Sequence, residues 1–235
     1  MKIVSAGFLI IGNEILSGRT QDKNLQTLAL KLNEVGIRLC EVKVVLDIER
    51  EIVESVNYLR QKHDYVFTSG GIGPTHDDIT TESMAKAFNT KYELNDTAFK
   101  ILQSYYLSKG EDMNEARTKM AYIPHGASLI HNEVSAAPGF KLDNVFVMAG
   151  VPRIFNAMLD YALPSLQGAK PLFSLSVNLS LTEGVIATKL EQLQNLHPDL
   201  EIGSYPQENR TTNIVVSGYS QSMVELCIEE VKKLS

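Results

Sequence analysis

The residues best suited to chemistry lie together in the run Thr68-Ser69-Gly70-Gly71-Ile72-Gly73-Pro74-Thr75-His76-Asp77-Asp78-Ile79-Thr80-Thr81-Glu82. Gly70, Gly71 and Gly73 permit positive φ and let a ligand approach the main chain closely. Successive exposed N–H groups make an anion-binding concavity, and the start of a following helix adds partial positive charge. Ser69, Thr75, Thr80 and Thr81 can donate to phosphate oxygens. Asp77, Asp78 and Glu82 would repel a phosphate unless a hard cation such as Mg²⁺ stood between them. The run therefore predicts a site for a phosphate-bearing small molecule with a divalent metal. The plainer reading is a glycine-rich turn, with Thr80 capping a helix and the acids favouring its dipole. His76 is a candidate general base, since its ordinary pKa lies near neutrality, or it only shapes the turn.

The elements around this run explain where it must sit. Tyr65-Val66-Phe67 before it is apolar and strand-like, and Ser83 to Phe88 after it reads as helix. Ser5 to Ile11 is a continuous apolar run, as buried parallel strands are. Gly12-Asn13-Glu14-Ile15-Leu16-Ser17-Gly18 forms the next loop. Asp22 begins a helix with Leu25, Leu28, Ala29, Leu32 and Val35 on one face, stopped by Gly36. Arg38 to Leu46 is a second strand and Asp47 its junction with a helix carrying Ile52, Val53, Val56 and Leu59. Asp64 to Thr68 is a third strand. This βαβαβ order predicts a parallel sheet with right-handed crossovers. Its ligand edge, at the carboxyl ends of the strands, would gather Glu14, Asp47 and Asp78.

The middle of the chain reads as helical. Asn95 or Asp96 caps a helix to about Lys109, and Glu115 to Ala121 is another helical piece. Strands are expected at Ser128 to His131 and Val145 to Ala149, with Ala136-Ala137-Pro138-Gly139-Phe140 as the loop between them. Gly150-Val151-Pro152 places a proline in the first turn of a helix. Gly168 to Pro171 reads as a linker, followed by a β-α-β-β-α pattern. The expected division is 1–167 and 168–235, the smaller part docking on the larger because about 65 residues bury too little surface alone. Arg117, Lys119 and Arg153 are candidate phosphate cations or solvated helix faces.

Composition sets outer bounds. The chain has 235 residues, 44% hydrophobic and 21% charged, with net charge −6, as expected of a globular protein with a sizeable core. The acidic balance argues against nucleic acid or an anionic membrane as principal partner. Cys40 and Cys227 are far apart and lack CxxC spacing, which favours buried thiols in a reducing compartment over a disulfide or zinc site. No stretch reads as a membrane span. The apolar start runs directly into Asn13-Glu14, so a core strand is expected rather than a signal peptide, and a cytoplasmic location follows.

These segments carry a resemblance. Gly12 to Gly18 with Asp22 and Asn24, Ser69 to Glu82, Arg117 to Ala127, Ala137-Pro138-Gly139-Phe140, Gly150-Val151-Pro152 and Gly203-Ser204-Tyr205-Pro206 together resemble the molybdenum-cofactor biosynthesis (molybdopterin-binding, MoaB/Mog-like) domain. The likeness is greatest to the competence/damage-inducible protein A (CinA) type and to the related domain of eukaryotic FAD synthases. It covers nearly the whole chain. The resemblance implies a three-layer α/β/α fold with a mainly parallel sheet, a small C-terminal α+β domain and a homo-oligomer. It also implies a divalent metal (Mg²⁺, Mn²⁺ or Co²⁺) and a pterin or nucleotide ligand.

By the same resemblance, Asp78 and Asp47 are the catalytic carboxylates and metal ligands, and Glu14, on the same edge, is a third candidate ligand. Ser69, Gly70, Gly71, Gly73, Pro74, Thr75, Thr80, Glu82, Gly12, Asn13, Glu14, Gly139, Gly150 and Pro152 form the substrate and phosphate pocket. The implied activity is metal-dependent pyrophosphatase action on ADP-ribose- or FAD-like diphosphates. The alternatives are pterin or nucleotide binding without turnover and molybdopterin adenylylation, the latter disfavoured by the small domain. Deamidation of nicotinamide mononucleotide belongs to a further domain in such proteins and is not expected of these residues. Two departures bear on substrate fit: Ser135-Ala136 stands where the family has Gly-Thr, and Ala149 where it has proline.

Overall fold

The computed structural model describes residues 3–208 and 210–234. The chain divides into two units, one ending at Ala169 and the other beginning at Lys170. In the first unit β1 (Val4–Ile11) leads through a short α1 (Asn13–Leu16) to α2 (Asn24–Glu34), β2 (Ile37–Val45), α3 (Glu49–Lys62) and β3 (Tyr65–Ser69). Then come α4 (Thr80–Ala87), β4 (Tyr92–Leu94), α5 (Asp96–Ser108), α6 (Glu115–Lys119), β5 (Tyr122–Pro124), β6 (Ser128–Ile130), β7 (Gly139–Leu142), β8 (Val145–Met148) and α7 (Pro152–Ala162). The main sheet has the order β2-β1-β3-β8-β7-β6. Its first four strands are mutually parallel and the last two antiparallel.

The sheet is covered on both faces, which is why β1 is buried from Ala6 to Ile11 without alternation. On one face Leu9, Val66 and Val147 pack with Ile52, Val56 and Leu59 of α3, Met84 of α4 and Leu102 of α5. On the other, Phe8, Ile10, Phe67 and Phe146 pack with Leu28 and Leu32 of α2 and Phe155, Met158 and Leu159 of α7. The expected three-layer α/β/α arrangement is therefore what forms.

Element ends follow local chemistry. Asp22 lies just outside α2, which begins at Asn24, and its Oδ1 accepts the Leu25 N–H at 2.7 Å. Asn95 caps α5 by accepting the Ala98 N–H at 2.9 Å.

Two expectations about the strands need correction. The middle is not helical throughout, because β4 and β5 pair as an antiparallel ribbon. The segment read as a loop before Val145 also contains β7, an antiparallel partner of β8 joined by a turn in which Asp143 has φ 55°. Both β4 and β5 are three residues long, too short for a period to show. Gly139 looks like a turn residue but sits inside β7, where a Cβ would lie 2.4 Å from the Val147 carbonyl oxygen.

The second unit comprises β9 (Phe173–Leu179), α8 (Glu183–Leu196), β10 (Glu201–Pro206), β11 (Thr212–Gly218) and α9 (Gln221–Lys232), the β-α-β-β-α order expected. Its antiparallel sheet has the order β10-β11-β9. Leu179, Ile214 and Val216 pack with Ile186, Leu190 and Leu193 of α8 and Val224, Cys227, Ile228 and Val231 of α9. Cys227 is thus buried, whereas Cys40, also expected to be buried, is exposed. Among the described residues no helix is long and apolar enough to cross a membrane.

Phe67 and Phe146 stack at the centre of the first unit with ring centroids 5.1 Å apart. Phe67→Ala is expected to lower the unfolding free energy by about 3–5 kcal/mol, read from urea denaturation of the purified protein.

Candidate functional site

The parallel register brings the ends of β1, β2, β3 and β8 to one edge of the sheet, and the loops that follow them wall a cleft of about 610 Å³. Gly12 and Glu14 come from the first loop and Asp47 from the second. Gly70 to Pro74 with Asp77 and Asp78 come from the third, and Gly150, Val151 and Pro152 from the fourth. This is the edge at which open α/β sheets bind ligands.

A buried side chain ties three of these loops together. Asn24 begins α2 and is 3% exposed. Its Nδ2 donates to Ser69 Oγ at 2.7 Å and to the Gly150 carbonyl at 2.8 Å. Asn13 and Asp47 join the first two loops reciprocally. The Asn13 N–H donates to Asp47 Oδ2 at 2.9 Å, and the Asp47 N–H donates to Asn13 Oδ1 at 3.3 Å.

The glycine run has a divided role. Gly70 has φ 114°, and a Cβ there would stand 2.0 Å from the Ile11 carbonyl oxygen. Its N–H donates to the Met148 carbonyl at 3.2 Å, so it completes the sheet and does not face a ligand. Gly71 has φ 65°, and a Cβ would strike Thr80 Oγ1 at 2.2 Å. Among the described residues the N–H groups of Gly71, Ile72 and Gly73 meet no protein acceptor.

Thr75 organises the carboxylates. Its N–H and Oγ1 approach Asp78 Oδ2 at 2.8 and 2.5 Å, and Oγ1 also lies 2.6 Å from Asp77 Oδ1. That hydroxyl contact is the main cause holding the Asp77 carboxyl below its ordinary range; Asp77's own backbone N–H adds to it, and His76 and Lys119 contribute less. Lys119 Nζ donates to the Thr75 carbonyl oxygen. Arg117 is engaged by Glu111 and the Asp112 carbonyl and lies over the Tyr106 ring, 4.1 Å from its centroid. Arg153, in the first turn of α7, is exposed.

The wall therefore carries four carboxylates, Glu14, Asp47, Asp77 and Asp78, and among the described residues no lysine, arginine or histidine. An all-oxygen donor set of this kind suits a hard divalent ion. Among the described residues Glu14, Asp47 and Asp78 do not bring one oxygen each within 4.8 Å of one another. An ion here would thus draw part of its coordination from ligand oxygens, as Mg²⁺ usually does.

Several expected residues stand elsewhere. Ser69 and Thr80 are buried, Ser69 accepting from Asn24 and Thr80 Oγ1 having no partner among the described residues. Thr75 and Asn13 hold carboxylates from behind the wall. Glu82 pairs with Lys86 at 3.0 Å along α4, and Gly139 is inside β7. Sequence reasoning missed Thr20, Tyr106 and Met120, which line the cleft together with Ser135, the departure expected to bear on substrate fit, and Ala137. It also missed the bridging role of Asn24, whose signal was a poor helix former opening an amphipathic helix.

Comparison with known proteins adds to this geometry. Residues 7–168 match the family described as "Probable molybdopterin binding domain", and residues 171–235 match "FAD synthase, middle domain". A protein of Archaeoglobus fulgidus is 34% identical over 229 residues, covering 97% of each chain. A protein of Pyrobaculum calidifontis is 34% identical over 212 residues, covering 86% of this chain and 81% of its own. The crystal structure of the protein CinA of unknown function from Thermoplasma acidophilum matches with a TM-score of 0.64 and 32% identity, covering 69% of this chain and 97% of that one.

Asn24→Asp would set a carboxylate oxygen against the Gly150 carbonyl, which can only accept, and would keep a partner in the Ser69 hydroxyl only if that hydroxyl turned to donate. It is expected to cost about 1–3 kcal/mol of stability, measured by urea denaturation, and more than Asn24→Ala. Equal stability of Asn24→Asp and the parent would contradict the bridging role.

Proposed function

This chain belongs to the molybdopterin binding domain family, and we propose that it is a metal-dependent nucleotide pyrophosphatase acting on ADP-ribose- or FAD-like diphosphates. The observation that carries this reading is the pairing of opposites in one cleft. Among the described residues, three backbone N–H groups at Gly71 to Gly73 without a protein acceptor offer an anion site, while the surrounding wall is anionic and without a cationic side chain. A phosphate fits there together with a divalent ion. The likeness of residues 171–235 to the FAD synthase middle domain supports a nucleotide substrate.

The reaction on ADP-ribose adds water across the diphosphate. A bond forms between the water oxygen and one phosphorus, the bridging P–O bond breaks, and AMP and ribose 5-phosphate leave as dianions with release of the two protons of the water. Asp78, Asp47 and Glu14 are the residues that would hold Mg²⁺, Mn²⁺ or Co²⁺. When bound, such an ion offsets phosphoryl charge and lowers the pKa of a water ligand. Gly71, Ile72 and Gly73 donate N–H groups to the charge that develops on the phosphoryl oxygens. Thr75 fixes the orientation of Asp78, and Tyr106 and Met120 give the wall apolar surface for a base. The second reading, retention of a pterin or nucleotide without turnover, draws on the Thr75 contacts that already satisfy one oxygen of Asp78.

AMP release from ADP-ribose, FAD and NAD, with each metal and with a chelator, tests the proposal. Metal-dependent AMP from at least one substrate is expected, lost in Asp78→Asn and lowered about 10–100-fold in Thr75→Val, which removes a hydroxyl that orients a ligand. Full activity of Asp78→Asn would overturn the role of that residue. No turnover with any metal, beside a rise in Tm on adding nucleotide or pterin, would overturn the hydrolase in favour of the binding reading.

A further inference from the structure

We propose that His197, Cys227 and Glu230 form a second metal site, inside the small unit, suited to Zn²⁺ and chemically unlike the all-oxygen cleft. Cys227 and Glu230 are three residues apart on α9 and so share a face, and His197 follows the last turn of α8. One ligand atom from each lies within 4.8 Å of the others. His197 Nε2 and Glu230 Oε2 are already 2.7 Å apart. A zinc tetrahedron with bonds of about 2.0–2.3 Å places its ligands roughly 3.5 Å from one another, so rotamer adjustments of about 1 Å close the group.

The second, independent observation is unspent polar capacity. The His197 side chain is 9% exposed, and its Nδ1 is buried with no hydrogen-bond partner among the described residues. A buried polar atom left unsatisfied is costly, and an ion bound at Nδ1 would relieve it while Nε2 keeps its contact with Glu230. Burial also matches the chemistry. Cys227 is fully buried while Glu230 keeps 35% of its side chain exposed, which leaves an entry path from solvent. A thiolate, a carboxylate and a neutral imidazole around a divalent ion sum to zero charge, which lowers the cost of holding the ion in a buried place. A mixed sulfur, nitrogen and oxygen set favours Zn²⁺ over Mg²⁺, and three protein ligands leave a fourth position for water.

The plainer account is a His197–Glu230 hydrogen bond tying the end of α8 to α9, with Cys227 as a small core residue. It makes no place for a metal. It is also the account the sequence suggests, because the three residues have no metal-ligand spacing and meet only through the fold.

The test uses the full-length chain carrying Cys40→Ser, stripped of metal, so that Cys227 is the sole thiol. Titration with Co²⁺ is expected to give thiolate-to-cobalt charge-transfer absorption saturating at one equivalent and displaced by Zn²⁺. Zn²⁺ is expected to raise Tm in this protein and not in Cys227→Ala. Glu230→Gln, which leaves the core untouched, is expected to weaken Co²⁺ binding at least about tenfold and carries the test should Cys227→Ala fail to fold. Absence of the charge-transfer band, or equal Co²⁺ affinity in Glu230→Gln, would overturn the site. Because the readouts are spectroscopic and thermal, failure of AMP release leaves this result unaffected.

Discussion

One buried amide holds the working edge of the larger unit in place. Asn24 Nδ2 supplies both its hydrogens, one to the end of β3 at Ser69 and one to the residue after β8 at Gly150. Parallel strands bring their ends to the same edge but do not by themselves fix the loops beyond them. The amide supplies that constraint from the opening of α2, and its planar geometry sets the distance between two neighbouring strand ends. Asn13 and Asp47 repeat the device between the ends of β1 and β2. The floor of the cleft is therefore rigid, and its variable chemistry lies in the Thr75 to Asp78 turn above it.

Charge sets the second constraint. Four carboxylates share a wall without a basic side chain among the described residues, and two nearby cations are otherwise engaged. Lys119 is held at the Thr75 carbonyl and Arg117 at Glu111, Asp112 and Tyr106. The resulting field repels free phosphate and welcomes a cation. Selectivity for a metal-loaded diphosphate over a bare one would follow from that arrangement alone.

The sequence made the architecture legible where periods were long and junctions strong. The apolar run of β1, the amphipathic α2 and α3 and the glycine loop after β3 suffice to place Glu14, Asp47 and Asp78 on one edge. Short antiparallel pieces escaped notice: three residues at Tyr92–Leu94 carry no readable alternation, and Gly139 disguised a strand as a turn. Side-chain direction escaped as well. Nothing in the spelling of Thr80 says that it is buried, whereas the four-residue spacing of Glu82 and Lys86 did hold the signal of their pair along α4. The group at His197, Cys227 and Glu230 is invisible in the sequence for a related reason, since α8 and α9 bring it together across intervening strands.

The contacts of Thr75 bear on how much work the loop must do to change shape. A hydroxyl carries one hydrogen, yet Asp77 and Asp78 both stand within its reach. If Asp78 is drawn toward an incoming ion, the Thr75 hydroxyl keeps a partner in Asp77, and only the backbone N–H loses its acceptor. The reorganisation cost of that movement is then nearer to one hydrogen bond than two. A turn wired in this way can yield one carboxylate without coming apart, which lets a stiff edge carry a single compliant ligand.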